Sequence, residues 1–332
     1  MNTPDMIDPA AKLVPNPFSA DIQQKATRDG FGPGAIEAGR KDGRVVVLCG
    51  DLAESTRADE FGKEFPERFV EVGVAEQNMA TVASGMAAAG KIPFIASYAA
   101  FNPGRNYEQI RTTVALNEMP VKVMGMHAGV SVGPDGATHQ MLEDLALMRV
   151  LPRMTVLNPC DAEEARKAVV AAAATNGPTY IRFGRSKVPV FTTAETPFEI
   201  GKALTLWKSK DPKVAILGTG SMSYNALCAA RTLATDGIES IVLHVATVKP
   251  LDEDAILSAA RTAGCLVTVE EHEVAAGFGS AVAELLSRKY PTKMEFVGVQ
   301  DKFGQSGTPE QLIEHYGLSP PHIVEAVRRM IA

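Results

Sequence analysis

Glu76 stands at the head of a run of unusually small residues. It follows an apolar stretch, 69–74, whose composition predicts a short strand, and a turn permitted by Gly73 and Ala75. Ala80, Thr81, Ala83, Ser84, Gly85, Ala87, Ala88 and Ala89 predict a helix with little bulk on any face, which another backbone must approach closely. A carboxylate buried at such a place costs on the order of several kcal/mol unless a partner meets it. The plain alternative is an acid that favours the helix dipole. Other reactive residue types follow other apolar runs. Asp51 and Ser55 come after the run at 45–49, Tyr98 and Phe101 after 92–96, and Arg185 after 179–183. His127 follows the run at 121–126 and opens a loop, 128–140, that contains Gly129, Gly133, Asp135, Gly136 and His139.

Singly, each has a structural account. Asp51 could cap a turn, Phe101 could be core, the two histidines could be surface loop residues, and Arg185 could be a solvated charge. Together they describe a pocket with an aromatic face, two imidazoles, two carboxylates and a cation. Two imidazoles near one substrate suit proton transfer to and from hydroxyl or carbonyl oxygens. A glycine-rich loop carrying two histidines and an aspartate is seldom mere connection.

The elements that must position these groups alternate. Val45 to Cys49 is apolar throughout, as expected of a strand buried on both faces, and 92–96, 121–126, 154–157 and 179–183 read similarly. Helical patterns lie between them at 76–89, 104–117, 141–150 and 162–175, and another runs from Asp21 towards Arg40, interrupted by Gly30 to Gly34. Alternation of this kind implies α/β architecture, a mostly parallel sheet with helices on both faces, whose ligands sit at the C-terminal strand ends. A second series has strands at 214–217, 239–245, 266–270 and 294–299. Its helices are at 222–235, 252–262 and 278–289, with two short ones at the end. The expected division is a Pro-rich leader over 1–19, a first domain over 20–190, a connecting stretch over 191–212 with one strand within 198–207, and a second domain over 213–332. Gly218-Thr219-Gly220 follows a strand, but Ser223 stands where the dinucleotide fingerprint needs its third glycine, so a tight strand-to-helix turn is the expectation.

Composition sets the wider limits. The chain has 332 residues, 45% apolar and 22% charged, with a net charge of -6. The modest, interspersed charge argues against a nucleic-acid or anionic-membrane surface. No apolar stretch reaches transmembrane length, and the opening residues have no signal-peptide h-region. Cys49, Cys160, Cys228 and Cys265 show neither a CxxC nor a metal spacing, as expected of reduced thiols in a cytoplasmic protein.

The residues also carry a resemblance. Val72-Gly73-Val74-Ala75-Glu76-Gln77-Asn78-Met79 resembles the G-[VI]-x-E-[HQ]-N-M block of transketolases, Asp51-Leu52-Ala53-Glu54-Ser55 resembles their D-L-x-x-S, and 127–140 resembles their donor-sugar loop. About residues 20–330 resemble the pyrimidine-binding and C-terminal domains of that family. The resemblance implies thiamine diphosphate as cofactor, with Glu76 bonded to N1′ of its aminopyrimidine, so promoting loss of the C2 proton. It places Phe101 against the pyrimidine ring, with Tyr98 and Asp51 among the cofactor contacts. Asp135, His127 and His139 would meet substrate oxygens. Ser55, Arg28 and Arg185 match positions that hold a sugar phosphate, and two guanidinium groups converging from distant sequence suit that anion.

Departures from the family are equally informative. The G-D-G…N motif that holds the diphosphate through Mg²⁺ has no match; Asp135-Gly136 lies in another loop. The resemblance is therefore to the smaller, C-terminal subunit of a split transketolase. A complementary N-terminal subunit would supply the diphosphate and Mg²⁺ site, in an expected α2β2 assembly, and the small-residue helix would pack against another chain. The implied activity is transfer of a two-carbon ketol unit from a ketose phosphate to an aldose. The segment 98–110 looks more like deoxyxylulose-phosphate synthase, whereas His127 and its loop favour transketolase. The β subunit of a 2-oxoacid dehydrogenase, a non-catalytic scaffold and a specialised transketolase acting on a branched or deoxy sugar phosphate are the remaining alternatives.

Overall fold

The structure, a computed structural model, describes residues 6–332. Fourteen strands are described: β1 Gln24–Ala26, β2 Val45–Cys49, β3 Phe69–Glu71, β4 Ile92–Tyr98, β5 Lys122–Met126, β6 Thr155–Leu157, β7 Thr179–Arg182, β8 Lys187–Pro189, β9 Leu204–Lys208, β10 Val214–Gly218, β11 Ser240–His244, β12 Thr247–Lys249, β13 Cys265–Glu273 and β14 Lys293–Val299. They build a seven-stranded sheet ordered β12-β6-β7-β5-β4-β2-β3, a five-stranded sheet ordered β14-β13-β10-β11-β9, and a β1–β8 ribbon. Both large sheets are parallel apart from an antiparallel edge strand, β12 in one and β9 in the other. Helices cover both faces, giving the α/β, two-sheet architecture the alternation predicts.

Several elements differ from the sequence reading, for identifiable reasons. β3 stops at Glu71 because Gly73 turns the chain at φ 71°, so the expected strand loses its second half. The expected helix is absent over 21–26, where Gln24–Ala26 form β1, and Gly30 to Gly34 do not interrupt the helix Phe31–Lys41 but start it. Those glycines serve helix-on-helix contact instead. A Cβ on Gly30 would lie 2.3 Å from Ala162 O, and one on Gly34 would lie 2.8 Å from Val169 Cβ and 2.9 Å from Arg166 O. The helix expected over 104–117 begins at Tyr107 and widens to π-type turns over Ile110–Ala115. Of the expected leader, residues 1–5 lie outside the described residues. The remainder packs on the second sheet, with Asp8 N donating to Leu206 O (3.1 Å) and Ala11 fully buried. No helix among the described residues is long and apolar enough to cross a membrane.

The two sheets are laced together. β12 belongs in sequence to the second series, yet it pairs with β6 of the first sheet. Arg182 donates to Asp144 Oδ2 (2.8 Å) and to Glu271 O (2.8 Å), while Leu145 N donates to His272 Nε2 (3.1 Å). A second buried junction runs from Ser223 Oγ to His244 Nδ1 (2.6 Å) and from His244 Nε2 to Glu164 Oε2 (2.7 Å). Buried charge of this kind holds only when every group is paired, and here the pairs span the two halves.

Candidate functional site

Parallel register brings the reactive residues to one edge. Cys49 pairs with Ala96 and with Glu71, Tyr98 with Met126, and Gly125 with Arg182. The segments carrying Asp51, Glu76, Phe101, His127 and Arg185 therefore all leave the sheet at its C-terminal side, where the chain needs no side-chain bulk to maintain the ladder.

Glu76 is 1% exposed and opens the helix Glu76–Ala88. Its Oε1 accepts from Ser97 Oγ (3.1 Å), and its Oε2 accepts from Arg105 Nη1 (2.7 Å). The carboxylate thus has the partner that burial requires, from a residue the sequence reading passed over. Arg105 lies in a segment read for its aromatics, and nothing in the order of residues says which way its long side chain folds. Its guanidinium carbon sits 4.5 Å over the Phe101 ring centroid. Beyond Glu76, the small-residue helix leaves Gln77, Asn78, Thr81, Val82, Gly85 and Ala88 exposed, beside Val74 at 70% exposure.

A second group surrounds His127. The Tyr98 ring stacks on it at 4.0 Å between centroids and lies 6.1 Å from Phe101, while His139 stands edge-on to Phe101 at 5.5 Å. Arg28 Nη1 reaches His127 Nε2 (2.6 Å), Ser55 O (2.7 Å) and Ser55 Oγ (3.4 Å), and Ser55 Oγ bonds the Tyr98 hydroxyl (2.7 Å). Because a guanidinium can only donate, His127 Nε2 accepts and the ring proton belongs on Nδ1. Burial first, and then the Arg28 and Arg185 charges, push the His127 pKa down to about 3. Near neutral pH this imidazole is accordingly a neutral hydrogen-bonding group. His139, half-buried, has access to solvent, and its Nδ1 meets Thr138 Oγ1 at 2.9 Å.

Arg28, Asp51, Ser55 and Arg185, together with Arg57, line a cavity of about 380 Å³. Arg57 is a member the sequence reading did not include; its Nε donates to Asp29 Oδ1 (2.9 Å). Arg185 donates to Val132 O (2.8 Å) and lies 3.4 Å from Asp135 Oδ1. Burial, followed by the neighbouring Arg57, lowers the Arg28 pKa. Two buried polar atoms here lack a partner, Arg28 Nε and His127 Nδ1. Both are donors, as a site for an oxygen-rich anion requires. Asp51 is exposed on a left-handed residue (φ 61°), with its backbone N held by Glu71 Oε1 (2.6 Å).

The loop 128–140 takes its shape from the second half of the chain. Ser131 N donates to Glu271 Oε1 (2.6 Å), and a Cβ on Gly129 would lie 2.2 Å from the same oxygen. Gln140 Nε2 donates to Val130 O (2.9 Å) and Gln305 O (2.9 Å). For a metal, the described residues offer one group of three candidate ligands, Cys160, Glu164 and His244, all buried and already bonded to one another. Beside Glu76 there is no such group of three among the described residues.

The two-sheet α/β chain thus brings a buried carboxylate, flat aromatic faces and an arginine-lined cavity to one sheet edge. Comparison with known proteins makes this specific. Residues 23–190 match the transketolase pyrimidine-binding domain and residues 201–323 the transketolase C-terminal domain. The 6-deoxy-6-sulfo-D-fructose transketolase subunit SqwH of a Clostridium species is 40% identical over 314 residues, covering 95% of this chain and 97% of that one. One of the subunits of the apulose-4-phosphate transketolase of Phocaeicola vulgatus is 35% identical over 92% of this chain and 97% of its own. A solved structure described as a split-gene transketolase, inactive beta4 tetramer, superimposes with a TM-score of 0.86 at 44% identity, covering 92% of this chain and 98% of that one. This chain belongs to the transketolase family.

Proposed function

We propose that this chain is the C-terminal subunit of a two-chain transketolase, which moves a two-carbon ketol unit from a ketose bearing an anionic group to an aldose acceptor. The observation that carries the reading is the pair of unpartnered buried donors, Arg28 Nε and His127 Nδ1, in the cluster that joins the arginine-lined cavity to the Tyr98 and Phe101 rings. The relatives support it, since both are subunits of transketolases named for a sulfonated and a phosphorylated ketose.

Thiamine diphosphate, when bound, supplies the electron sink for breaking the carbon–carbon bond. The residues of this chain bind, orient and move protons. Glu76 would hold the pyrimidine at N1′, and Phe101 would offer it a ring face. Arg28, Arg185, Arg57 and Ser55 hold the anionic end of the sugar. His127, fixed by Arg28 and stacked on Tyr98, donates Nδ1–H to a sugar oxygen. Asp135 accepts from a sugar hydroxyl, and His139 moves a proton at a sugar oxygen. Mg²⁺ and the diphosphate fall to the complementary N-terminal subunit.

Reconstitution tests this directly. The purified chain with Mg²⁺, thiamine diphosphate and a panel of ketose phosphates is expected to be inactive, and the complementary subunit is expected to restore transfer. Glu76→Gln in the restored complex should lower kcat by about 10² to 10⁴, the range for loss of a positioned proton-transfer group. Full activity of the chain alone, or pyruvate decarboxylation without ketol transfer, would overturn the reading. Activity undiminished in Glu76→Ala would leave a scaffold.

A further inference from the structure

Arg105 makes two contacts, and both coincide with those assigned above to the pyrimidine ring. Its Nη1 donates to Glu76 Oε2 at 2.7 Å, and its guanidinium carbon lies 4.5 Å over the Phe101 ring centroid. We infer that Arg105 is a resident surrogate for the pyrimidine: without cofactor its planar guanidinium fills the place between Phe101 and Glu76, and it withdraws when the pyrimidine enters. This inference rests on the thiamine reading of Glu76 and Phe101.

The geometry makes the two occupants exclusive. Glu76 Oε1 accepts from Ser97 Oγ and Oε2 from Arg105 Nη1, so a pyrimidine donor meets both oxygens already in use. A flat delocalised cation and a flat heterocycle each cover one ring face, so Phe101 cannot present the same face to both.

The arginine can leave. Its side chain is 44% exposed, against 1% for Glu76, and Glu76 is the acid it pairs with among the described residues. The backbone around it cannot follow. On one side, Asn102 Nδ2 donates to Ile95 O (3.0 Å) and Met124 O (3.1 Å). On the other, Asn106 Nδ2 donates to Glu76 O (3.1 Å) and Asn102 Oδ1 (3.0 Å). Gly104 closes the bend, since a Cβ there would lie 2.2 Å from Ala100 O. The moving part is one long side chain on a fixed loop.

The chemistry gives this contact a purpose. A carboxylate buried as deeply as Glu76 cannot stand without a hydrogen-bonding cation or ligand. Arg105 keeps it paired and in place while the cofactor is away. Exchange then trades one donor for another, instead of exposing a bare charge. The consequence is a reduced apparent affinity, because the pyrimidine binds the fraction of molecules in which Arg105 has withdrawn.

Calorimetric titration of the full chain with thiamine, which lacks the diphosphate, tests this on wild type, Arg105→Ala and Arg105→Gln. The second variant retains a donor at the position if alanine prevents folding. Both variants are expected to bind thiamine more tightly than wild type, alanine by about tenfold or more. Low guanidinium chloride should restore the wild-type affinity to Arg105→Ala by refilling the vacated place. Wild-type chain binding thiamine as tightly as the variants, or more tightly, would overturn the surrogate and make Arg105 a lasting part of the pyrimidine site. Thiamine binding to none of the three folded proteins would overturn the pyrimidine reading itself, and the surrogate with it.

Discussion

His127 shows how a residue's position and its protonation can be set by different parts of the chain. Its position after β5 was legible, but its protonation was not, because that depends on Arg28, 99 residues away in sequence. Burial and the nearby arginines hold its pKa at about 3, against roughly 6.5 in an unfolded chain. Between those values the unfolded chain binds a proton that the folded chain refuses. The contribution of His127 to stability is therefore fully present above about pH 6.5 and is lost as pH falls through the window towards 3. A proton NMR titration should find the His127 ring neutral at pH 5, and His127→Gln should flatten the stability curve between pH 6.5 and 4; a ring titrating near 6.5 would refute this. Glu76 was readable for the opposite reason: its own type and its small neighbours announce it. Arg57 and Arg105 were not, since a cation on a loop gains meaning only from the direction in which its long stem folds.

At the scale of elements, alternation predicted the strands well because burial on both faces forces continuous apolar runs. It misjudged Gly30 to Gly34, because a glycine cluster reads the same whether it breaks a helix or admits a neighbouring one. Here Val169 and the Arg166 carbonyl fill the space a Cβ on Gly34 would need, so Gly34→Ala should lower the melting temperature without altering the site. The loop 128–140 carries another hidden dependence. Its residues suggested a ligand site, yet its conformation is fixed by Glu271 and Gln305 from the far half of the chain. Glu271→Ala removes the acceptor of a buried Ser131 N–H, which should cost roughly 2 to 3 kcal/mol. In the reconstituted complex the KM for a ketose phosphate should rise more than kcat falls, because the loop that orients the sugar is loosened. Glu271→Gln retains an acceptor oxygen and should recover most of both. Equal loss in the two variants would assign the effect to charge and not to the loop.

For the whole molecule, the two sheets are held as one body by β12 and by the Arg182 and His244 junctions, so what remains open is a surface and not a hinge. That surface is the outer face of the helix Glu76–Ala88, where Gly85 has nothing within 4 Å of a built Cβ. In an isolated chain this glycine has no packing reason to exist. Mid-helix glycine costs roughly 0.5 to 1 kcal/mol relative to a good helix former, so Gly85→Lys should raise the melting temperature of the chain alone. If the complementary subunit lays its backbone along this face, as the split reading holds, the same substitution should weaken association by tenfold or more and lower reconstituted transfer at limiting subunit concentration. The two measurements move in opposite directions only when the missing neighbour belongs to another chain. A substitution that stabilises the chain and leaves association unchanged would remove this helix from the interface, and with it the explanation for its run of small residues.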